Sequence, residues 1–492
     1  MVFSSLIFLY AFFPLCLLAY TLCRTLRAKN ICLLVFSLLF YAWGEPVYVL
    51  LLAVMALFDW YFALRVQRAR EENGNAKKFV VLTCIVNLGL IGFFKYAGMI
   101  CSVFGAVPAF VQKIALPLGI SFYTFQLLSY VVDVYRGDAE AQEKYWQVLL
   151  YAALFHQCVA GPIVRYKTVA EELFAGRDEH SDRARGCTRF CVGLAKKTVL
   201  ANACGSLADK LLLTDAAIGS AAQLSENLSA LSGAPALGLW VGVIAYTFQI
   251  YFDFSAYSDM AIGMGQMIGL HYLENFNYPY ISRTATEFWR RWHMSLGTFF
   301  RDYVYIPLGG NRKGKARTVL NLLIVWALTG LWHGASWNFV LWGLYYFVLL
   351  LIDRLFWQRL LDRLPKAVSA VLSHIILPLA VLFGWVLFKF TSLPLMLAVV
   401  RGMFCANGNP FTSFTVTAEI KSHMYLLLFC ALASTPVFSA LAKRWERAGM
   451  ESALARKTYG IAAYGAAPVA LLLLSTACLV GNSFNPFLYF RF

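Results

Sequence analysis

Long apolar runs recur along almost the whole of this 492-residue sequence. Hydrophobic residues make up 60% of the chain, charged residues only 14%, and the mean hydropathy is +0.63. A run of about 20 apolar residues is long enough to cross the hydrocarbon core of a bilayer as one helix. The composition therefore excludes soluble enzymes and disordered chains, and it predicts an all-α, polytopic integral membrane protein.

Candidate membrane segments follow from the positions of these runs. They lie near 3–23, 30–44, 46–66, 78–98, 115–133, 146–162, 190–212, 236–268, 318–334, 337–356, 367–390, 423–441 and 459–480. We expect about 11–13 transmembrane or re-entrant helices in a single domain, 1–492, because the chain shows no repeat or soluble module. The short segment 146–162, which ends in Ala-Gly-Pro, is the one that we predict to be re-entrant.

The distribution of basic residues predicts which side of the membrane each loop faces. Most of the 42 Lys and Arg residues lie in 24–29, 65–78, 163–197, 283–317, 354–366 and 443–457. Basic loops face the cytoplasm, so we expect both the N-terminus and the tail 483–492 to be extracytoplasmic. Basic loops beside anionic lipid also explain the net charge of +16, so we expect membrane lipids, and no nucleic acid, as partners.

Two polar stripes lie inside predicted membrane segments, where ionisable side chains are costly and usually face a cavity. Helical spacing places the members of each stripe on one face of a helix. The first stripe consists of Gln126, Ser129, Tyr130 and Asp133, and the second of Gln249, Asp253 and Tyr257. We predict that the stripes line a polar passage. The alternative is that they form hydrogen bonds between helices of the bundle.

Three of the seven histidines lie where a polar side chain needs an explanation. His333 lies about 24 Å along a helix from the preceding basic loop, and therefore within the membrane. An imidazole there, between Gly330 and Gly334, can take a proton from a hydroxyl group and return it, although a structural hydrogen bond is the alternative. We interpret His156 as a core histidine bonded to backbone. His293 lies in an amphipathic stretch that would also suit an interfacial helix.

Motifs of several other enzyme classes are missing from the sequence. It contains no Gly-x-Ser-x-Gly, no His-Glu-x-x-His and no P-loop. Cys187 and Cys191 could share one helix face, but no further ligands lie near them in sequence. We therefore expect no metal site and no tightly bound cofactor.

Several segments together resemble the membrane-bound O-acyltransferase family, and within it the bacterial alginate O-acetyltransferases and their polysaccharide-acetylating relatives. The resemblance covers nearly the whole chain. The segments are Leu116–Gln126, Asp133–Gly137, Ala160–Arg165, Gln249–Asp259, Glu287–Ser295, Arg301–Arg312 and Gly330–Trp337. One departure is visible before Ala160, where His156-Gln157 stands in a stretch that often contains a proline in relatives.

The resemblance implies helices around a central funnel, with His333 as the catalytic base and His293 as a second important position. It also implies an acyl thioester donor, such as acetyl-CoA, on the cytoplasmic side and O-acylation of an exported polysaccharide. We expect the donor's phosphates to pair with the cationic side chains Arg290, Arg291, Arg301 and Arg312. Trp332 and Asn338 are expected to line the substrate channel beside His333.

Residues Phe487–Phe492 have the pattern Phe-x-Tyr-x-x-Phe, which is similar to a terminal aromatic motif found in acyl-relay systems of this family. We expect Tyr489 to enter from outside, to be acylated through His333, and to pass the group to an extracytoplasmic partner of the SGNH esterase fold. The alternative is an aromatic anchor at the membrane surface.

Two other functions stay open at this point. Within the same family, the chain could transfer D-alanine from a carrier protein to teichoic acid. In a different class, it could be a transporter or flippase in which His333 relays protons. All three functions place a multi-pass protein in the bacterial cytoplasmic membrane.

Overall fold

The computed structural model describes residues 1–105, 107–179, 181–213, 220–449, 452–481 and 487–488. Regular structure within these residues is helical, without an assigned strand, which confirms the all-α prediction. The α-helices in chain order are α1 (Phe13–Leu22), α2 (Leu26–Gly44), α3 (Tyr48–Glu71), α4 (Ala76–Ile91), α5 (Ala97–Val103), α6 (Ala109–Gln112), α7 (Ile120–Arg136), α8 (Tyr145–Ala153), α9 (Tyr166–Phe174), α10 (Arg183–Ala195), α11 (Asn202–Leu212), α12 (Ala221–Gly233), α13 (Ala236–Met267), α14 (Ala285–Arg291), α15 (Met294–Phe300), α16 (Lys315–His333), α17 (Trp337–Ile352), α18 (Gln358–Arg363), α19 (Lys366–Lys389), α20 (Leu393–Met403), α21 (Phe414–Ala433), α22 (Val437–Gly449), α23 (Ala453–Ile461) and α24 (Ala467–Val480).

Short π-helical turns join several of these helices end to end. They lie at Phe8–Phe12, Gly92–Tyr96, Lys196–Ala201, Arg301–Tyr305, Asp353–Trp357 and Ala462–Ala466, and a 3-10 turn lies at Pro279–Ile281. Through one of these turns, α10 and α11 form a continuous helical segment. A π turn inserts an extra residue into a helix and is often found at functional sites.

Among the described residues, eight helices are long and apolar enough to cross a membrane. They are Leu26–Gly44, Tyr48–Glu71, Ala76–Val103, Ala236–Met267, Trp337–Arg363, Lys366–Lys389, Phe414–Ala433 and Ala453–Val480. Phe8–Leu22 and Leu393–Met403 are shorter apolar helices. The chain is thus a multi-pass membrane protein. The predicted segment 318–334 falls on α16, which has 19 residues but is not among these eight helices.

One predicted segment lies differently in the structure, and a second one contains only a short helix. The segment 423–441 is wrong, because α21 ends at Ala433 and α22 begins at Val437. Pro436 explains this break, since proline disfavours helix at the residue before it and lacks the N–H that a helix needs. The segment 146–162 contains only the nine-residue α8, whose length of about 14 Å cannot span a bilayer. Its re-entrant path stays a prediction.

The described chain divides into two compact units. Unit 1 comprises Met1–Leu194, Ala256–Asn275 and the described residues from Ala463 onward, and unit 2 comprises Ala195–Ser255 and Phe276–Ala462. Helix α13 contributes residues to both units. Because segments far apart in sequence build each unit, no linker separates two successive domains, and the single-domain assignment stays a prediction.

In unit 1, α7 is buried along almost its whole length and packs against α3 and α4. The helix begins after Gly119, whose φ of +75° is readily adopted only by glycine. A Cβ atom at Gly119 would also clash with the backbone oxygen of Cys158. The loop after α8 therefore packs directly against the start of α7.

In unit 2, α16 and α17 form a hairpin against which α14 and α19 pack. The backbones of the hairpin touch: a Cβ atom at Gly330 would clash with the Phe339 backbone oxygen, and one at Gly343 would clash with that of Trp326. Glycine at these two positions therefore lets the neighbouring helix approach closely.

Candidate active site

His333 is the last residue of α16 and lies beside the start of α17 and the end of α19 in unit 2. Its side chain is buried, with 6% of the residue surface exposed. Its ring lies 5.0 Å from the ring of Trp332, 4.9 Å from that of Trp342 and 5.3 Å from that of Phe388. The imidazole is thus held among aromatic rings at a helix end.

His293 occupies the corner between α14 and α15 and is buried, which favours a place inside the protein over an exposed amphipathic face. Its φ of +45° is uncommon for a residue other than glycine and costs about 1–2 kcal/mol, which surrounding contacts must offset. The ring of Phe254 packs against the imidazole at 4.6 Å. Burial lowers the pKa of His293 to about 3, which keeps the ring neutral at neutral pH.

Trp332 brings the two histidines into one cluster. Its ring lies 5.6 Å from the His293 ring and 5.0 Å from the His333 ring. Two residues forty positions apart in sequence therefore share one aromatic neighbour, as expected for parts of a single site. A buried, apolar setting of this kind strengthens electrostatic interactions with a developing charge.

Asn338 has a structural role that the sequence did not predict. Its Nδ2 group donates to the backbone oxygens of Leu387 and Phe388, at 3.2 and 3.3 Å. These bonds attach the end of α19 to the start of α17 and so position Phe388 beside His333. Because its amide N–H groups are engaged, Asn338 is a poor candidate for binding a substrate oxygen.

Trp342 is a candidate that the sequence analysis missed. Its side chain is completely buried, and within the described residues its Nε1 atom has no hydrogen-bond partner. A buried donor without a partner is costly, and such groups often serve function. Its ring packs against His333, but nothing in the local sequence distinguishes Trp342 from other tryptophans of the membrane segments.

The first polar stripe is completely buried in unit 1. Gln126 donates to the backbone oxygen of Gln157 at 3.2 Å, and Ser129 donates to the backbone oxygen of Gln126 and lies 3.3 Å from the hydroxyl of Tyr151. Asp133 is buried on the same helix. The Ser129 bond to Gln126 lies within α7, but the contact with Tyr151 and the bond to Gln157 join α7 to α8 and to the loop after it. These two contacts favour the alternative of bonds between helices, and the passage stays a prediction.

The second stripe is also buried, and it contains an ion pair that the sequence did not reveal. In unit 2, Asp253 accepts a hydrogen bond from Lys197 at 2.6 Å, and both side chains are almost inaccessible. Lys197, which falls in both the basic stretch 163–197 and the predicted membrane segment 190–212, lies in the π turn between α10 and α11. Gln249 packs against Gly205, where a Cβ atom would lie 2.5 Å from its Nε2.

The four predicted donor-binding arginines differ in how they are held. Arg291 pairs with Glu287 at 2.9 Å, and Arg301 pairs with Asp302 at 2.7 Å. Arg290 and Arg312 are exposed. Their role toward a donor stays a prediction.

His156 is a core histidine of unit 1, as predicted, but its partner is a side chain. Its Nδ1 atom lies 2.8 Å from the hydroxyl of Tyr272, with which it shares a hydrogen bond. The sequence analysis expected a backbone partner instead. Among the described residues, no group of three or more His, Cys, Asp or Glu side chains could hold a metal ion.

The aromatic tail is described only at Phe487 and Leu488, and Tyr489 lies outside the described residues. Both described tail residues are buried. The ring of Phe487 packs edge-on against Tyr257 of the second stripe at 4.9 Å, and Tyr257 stacks on Phe3 at 4.6 Å. All three residues belong to unit 1, so this part of the tail is packed in the protein.

Comparisons with known proteins show which family the chain is similar to. Residues 144–400 match the model of the membrane-bound O-acyltransferase family. The chain is 37% identical to a protein from Azotobacter vinelandii and 35% identical to one from Pseudomonas aeruginosa, each named probable alginate O-acetylase AlgI, over the full length of both chains. It is 30% identical to the peptidoglycan O-acetyltransferase of Helicobacter pylori, over 83% of this chain and 80% of that protein.

Proposed function

Because the chain belongs to the membrane-bound O-acyltransferase family and is an O-acyltransferase, we propose that it moves an acetyl group from a cytoplasmic thioester donor to an exported polysaccharide. The names of its relatives support a polysaccharide acceptor and an acetyl group. The observation that carries the proposal is the cluster of His333, Trp332 and His293, which joins two of the resembling sequence segments.

His333 is the general base of the proposed reaction. One imidazole nitrogen accepts the proton of the acceptor hydroxyl while the hydroxyl oxygen attacks the thioester carbonyl carbon. The carbon–sulfur bond then breaks, an ester forms, and the departing thiolate takes the proton from the imidazolium. A positioned base of this kind contributes about 10² to 10⁴ in rate.

Trp342 stabilises the negative charge that develops on the carbonyl oxygen during this attack. Its buried Nε1–H group is beside His333 and is not used by another described residue. Preorganised donors in a site that excludes water are effective because they need no reorganisation during the reaction. His293 stays neutral and holds Trp332 against His333, and so positions the base.

Tyr489 is the first acceptor in the proposed transfer. The burial of Phe487 and Leu488 supports a tail that enters the protein, which an anchor at the membrane surface does not require. The acetylated tyrosine passes its group to an extracytoplasmic partner of the SGNH esterase fold, which acts on the glycan. A Tyr489→Phe variant tests this step, because it keeps the aromatic ring. Unchanged acetyl export in that variant would refute the relay.

The proposed location is the bacterial cytoplasmic membrane, with the basic loops in the cytoplasm and both termini outside it. This arrangement lets the acetyl group cross while the anionic carrier stays in the cytoplasm.

Incubation of the purified protein with labelled acetyl-CoA tests the proposed function. We expect thioester hydrolysis or self-acetylation in the wild type and its loss in His333→Ala with folding retained. A D-alanyl thioester of a carrier protein is the matched alternative donor. Use of D-alanine alone, or equal activity in His333→Ala, would contradict the proposal.

A further inference from the structure

A groove of about 570 Å³ lies in unit 2, where α14 begins and where α18 and α19 meet. Its polar lining includes Arg283, Thr284, Gln358, Lys366 and Ser369. This volume lies within the range of small-molecule sites, about 300–1,000 Å³. None of these residues belongs to the site described above, and none was singled out in the sequence.

Arg283 is fixed in this groove by two hydroxyl groups of α19. Its Nη2 atom donates to Ser369 at 2.7 Å and its Nε atom to Ser373 at 3.3 Å. The remaining nitrogen, Nη1, takes part in neither bond. A guanidinium held in this way is preorganised to bind an anion, because less side-chain entropy is lost on binding.

The charge of the groove favours an anionic ligand. Glu287 lines it but is already paired with Arg291 at 2.9 Å. This pairing leaves Arg283 and Lys366 as two cations against the single carboxylate of Asp362. Both chain segments that supply these cations, 283–317 and 354–366, are predicted to face the cytoplasm.

Helix α14 links the groove to the candidate active site. The helix begins beside the groove, where Thr284 accepts a hydrogen bond from the Glu287 backbone N–H at 3.1 Å and thereby caps the helix. It ends two residues before His293. Its seven residues extend about 10 Å, so a flexible arm could reach from the groove toward the histidines.

We propose that this groove binds the phosphate-bearing part of the acyl donor, a phosphopantetheine thioester, through Arg283 and Lys366. This inference rests on the proposed function, and it assigns donor binding to residues other than Arg290, Arg291, Arg301 and Arg312. The phosphate is common to coenzyme A and to a carrier protein, so the test includes both sources.

Binding of labelled coenzyme A to the full-length protein in detergent tests the inference. We expect Arg283→Gln and Lys366→Gln each to weaken binding about tenfold, the effect of one charge-assisted hydrogen bond. Arg359→Gln is the matched control, because Arg359 is exposed on α18 but does not line the groove. Acetyl-pantetheine, which lacks phosphate, should show no dependence on either groove residue when its KM is measured.

If the wild type binds a phosphopantetheinylated carrier protein rather than free coenzyme A, the same two variants should weaken that binding. Unchanged binding of both probes in the two variants, or an equal loss in Arg359→Gln, would overturn the inference. His333→Ala separates the two proposals, because it should keep donor binding while losing acetyl transfer. Transfer without His333, together with phosphate-dependent binding in the groove, would refute the proposed function alone.

Discussion

His156 in unit 1 and His333 in unit 2 are both buried histidines within a membrane protein, yet their surroundings differ. His156 is completely buried and shares a hydrogen bond with the hydroxyl of Tyr272. His333 ends a helix, contacts three aromatic rings, and shares Trp332 with a second histidine. Burial alone therefore does not identify a catalytic imidazole. The position of His333, where several helices end or begin, distinguishes it better than burial does.

The largest expected effect comes from replacing each of the two histidines in a separate variant. We expect His333→Gln to lower the rate of acetyl transfer by about 10² to 10⁴, since it removes the base. His156→Gln should instead lower thermal stability and keep the rate within severalfold. The measurements are labelled-acetyl transfer and thermal unfolding in detergent. An equal loss of activity in both variants would remove the distinction between the two sites.

The two polar stripes provide a second comparison, between a buried ion pair and neutral hydrogen bonds. We expect Lys197→Met to lower the free energy of unfolding by about 3–5 kcal/mol, because Asp253 would stay buried without its cation. Ser129→Ala should lower the free energy of unfolding by only about 1 kcal/mol. Thermal unfolding in detergent measures both. The double variant Lys197→Met with Asp253→Leu should recover most of the lost free energy of unfolding. A double variant as unstable as Lys197→Met alone would argue against a stabilising Lys197–Asp253 ion pair.

Trp342 and Trp326 are two buried tryptophans of the same hairpin, and replacing each one separately provides a third comparison. We expect Trp342→Phe to lower kcat about 10²-fold, because it removes the donor to the carbonyl oxygen but keeps most of the ring. Trp326 lies 6.4 Å from Trp342, so Trp326→Phe is a matched control that should leave kcat within severalfold. Steady-state kinetics with acetyl-CoA separate kcat from KM. Similar kcat values for the two variants would rule out this role.

The smallest expected effect concerns His271 at the surface of unit 1. Burial alone would lower its pKa, but hydrogen bonds to Glu172 and Asp182 outweigh burial, so the pKa of His271 is raised above its ordinary value. Contacts of a histidine with a raised pKa stabilise the fold at low pH and are lost as the pH rises through that pKa. We expect the Tm of the wild type to fall slightly above about pH 6.5 relative to His271→Gln. Parallel Tm profiles would contradict this expectation.

Much of the fold is predictable because hydropathy depends on local composition. The all-α membrane class follows from it, and so do most segments, whereas the break at Pro436 shifts one helix by several residues. The burial of Lys197 could not be predicted, because its partner Asp253 lies 56 positions away and a basic residue near a helix end is usually solvated.

The candidate site is only partly visible in the sequence for the same reason. His333 and His293 stand out as polar residues in apolar or aromatic segments, and the resemblance links them. Trp342 and Arg283 do not stand out, because their significance depends on contacts between distant segments. Arg283 meets Ser369 across 86 positions, and an arginine in a basic loop gives no sign of such a partner.

The touching backbones at Gly330 and Gly343 limit how a substrate can reach His333. Two rings that contact this imidazole, those of Trp332 and Trp342, belong to the hairpin, which cannot separate or slide without breaking close contacts. Another ring, that of Phe388, comes from α19. Because Asn338 hydrogen-bonds the end of α19 to the start of α17, displacing Phe388 to admit a substrate would also break those two bonds.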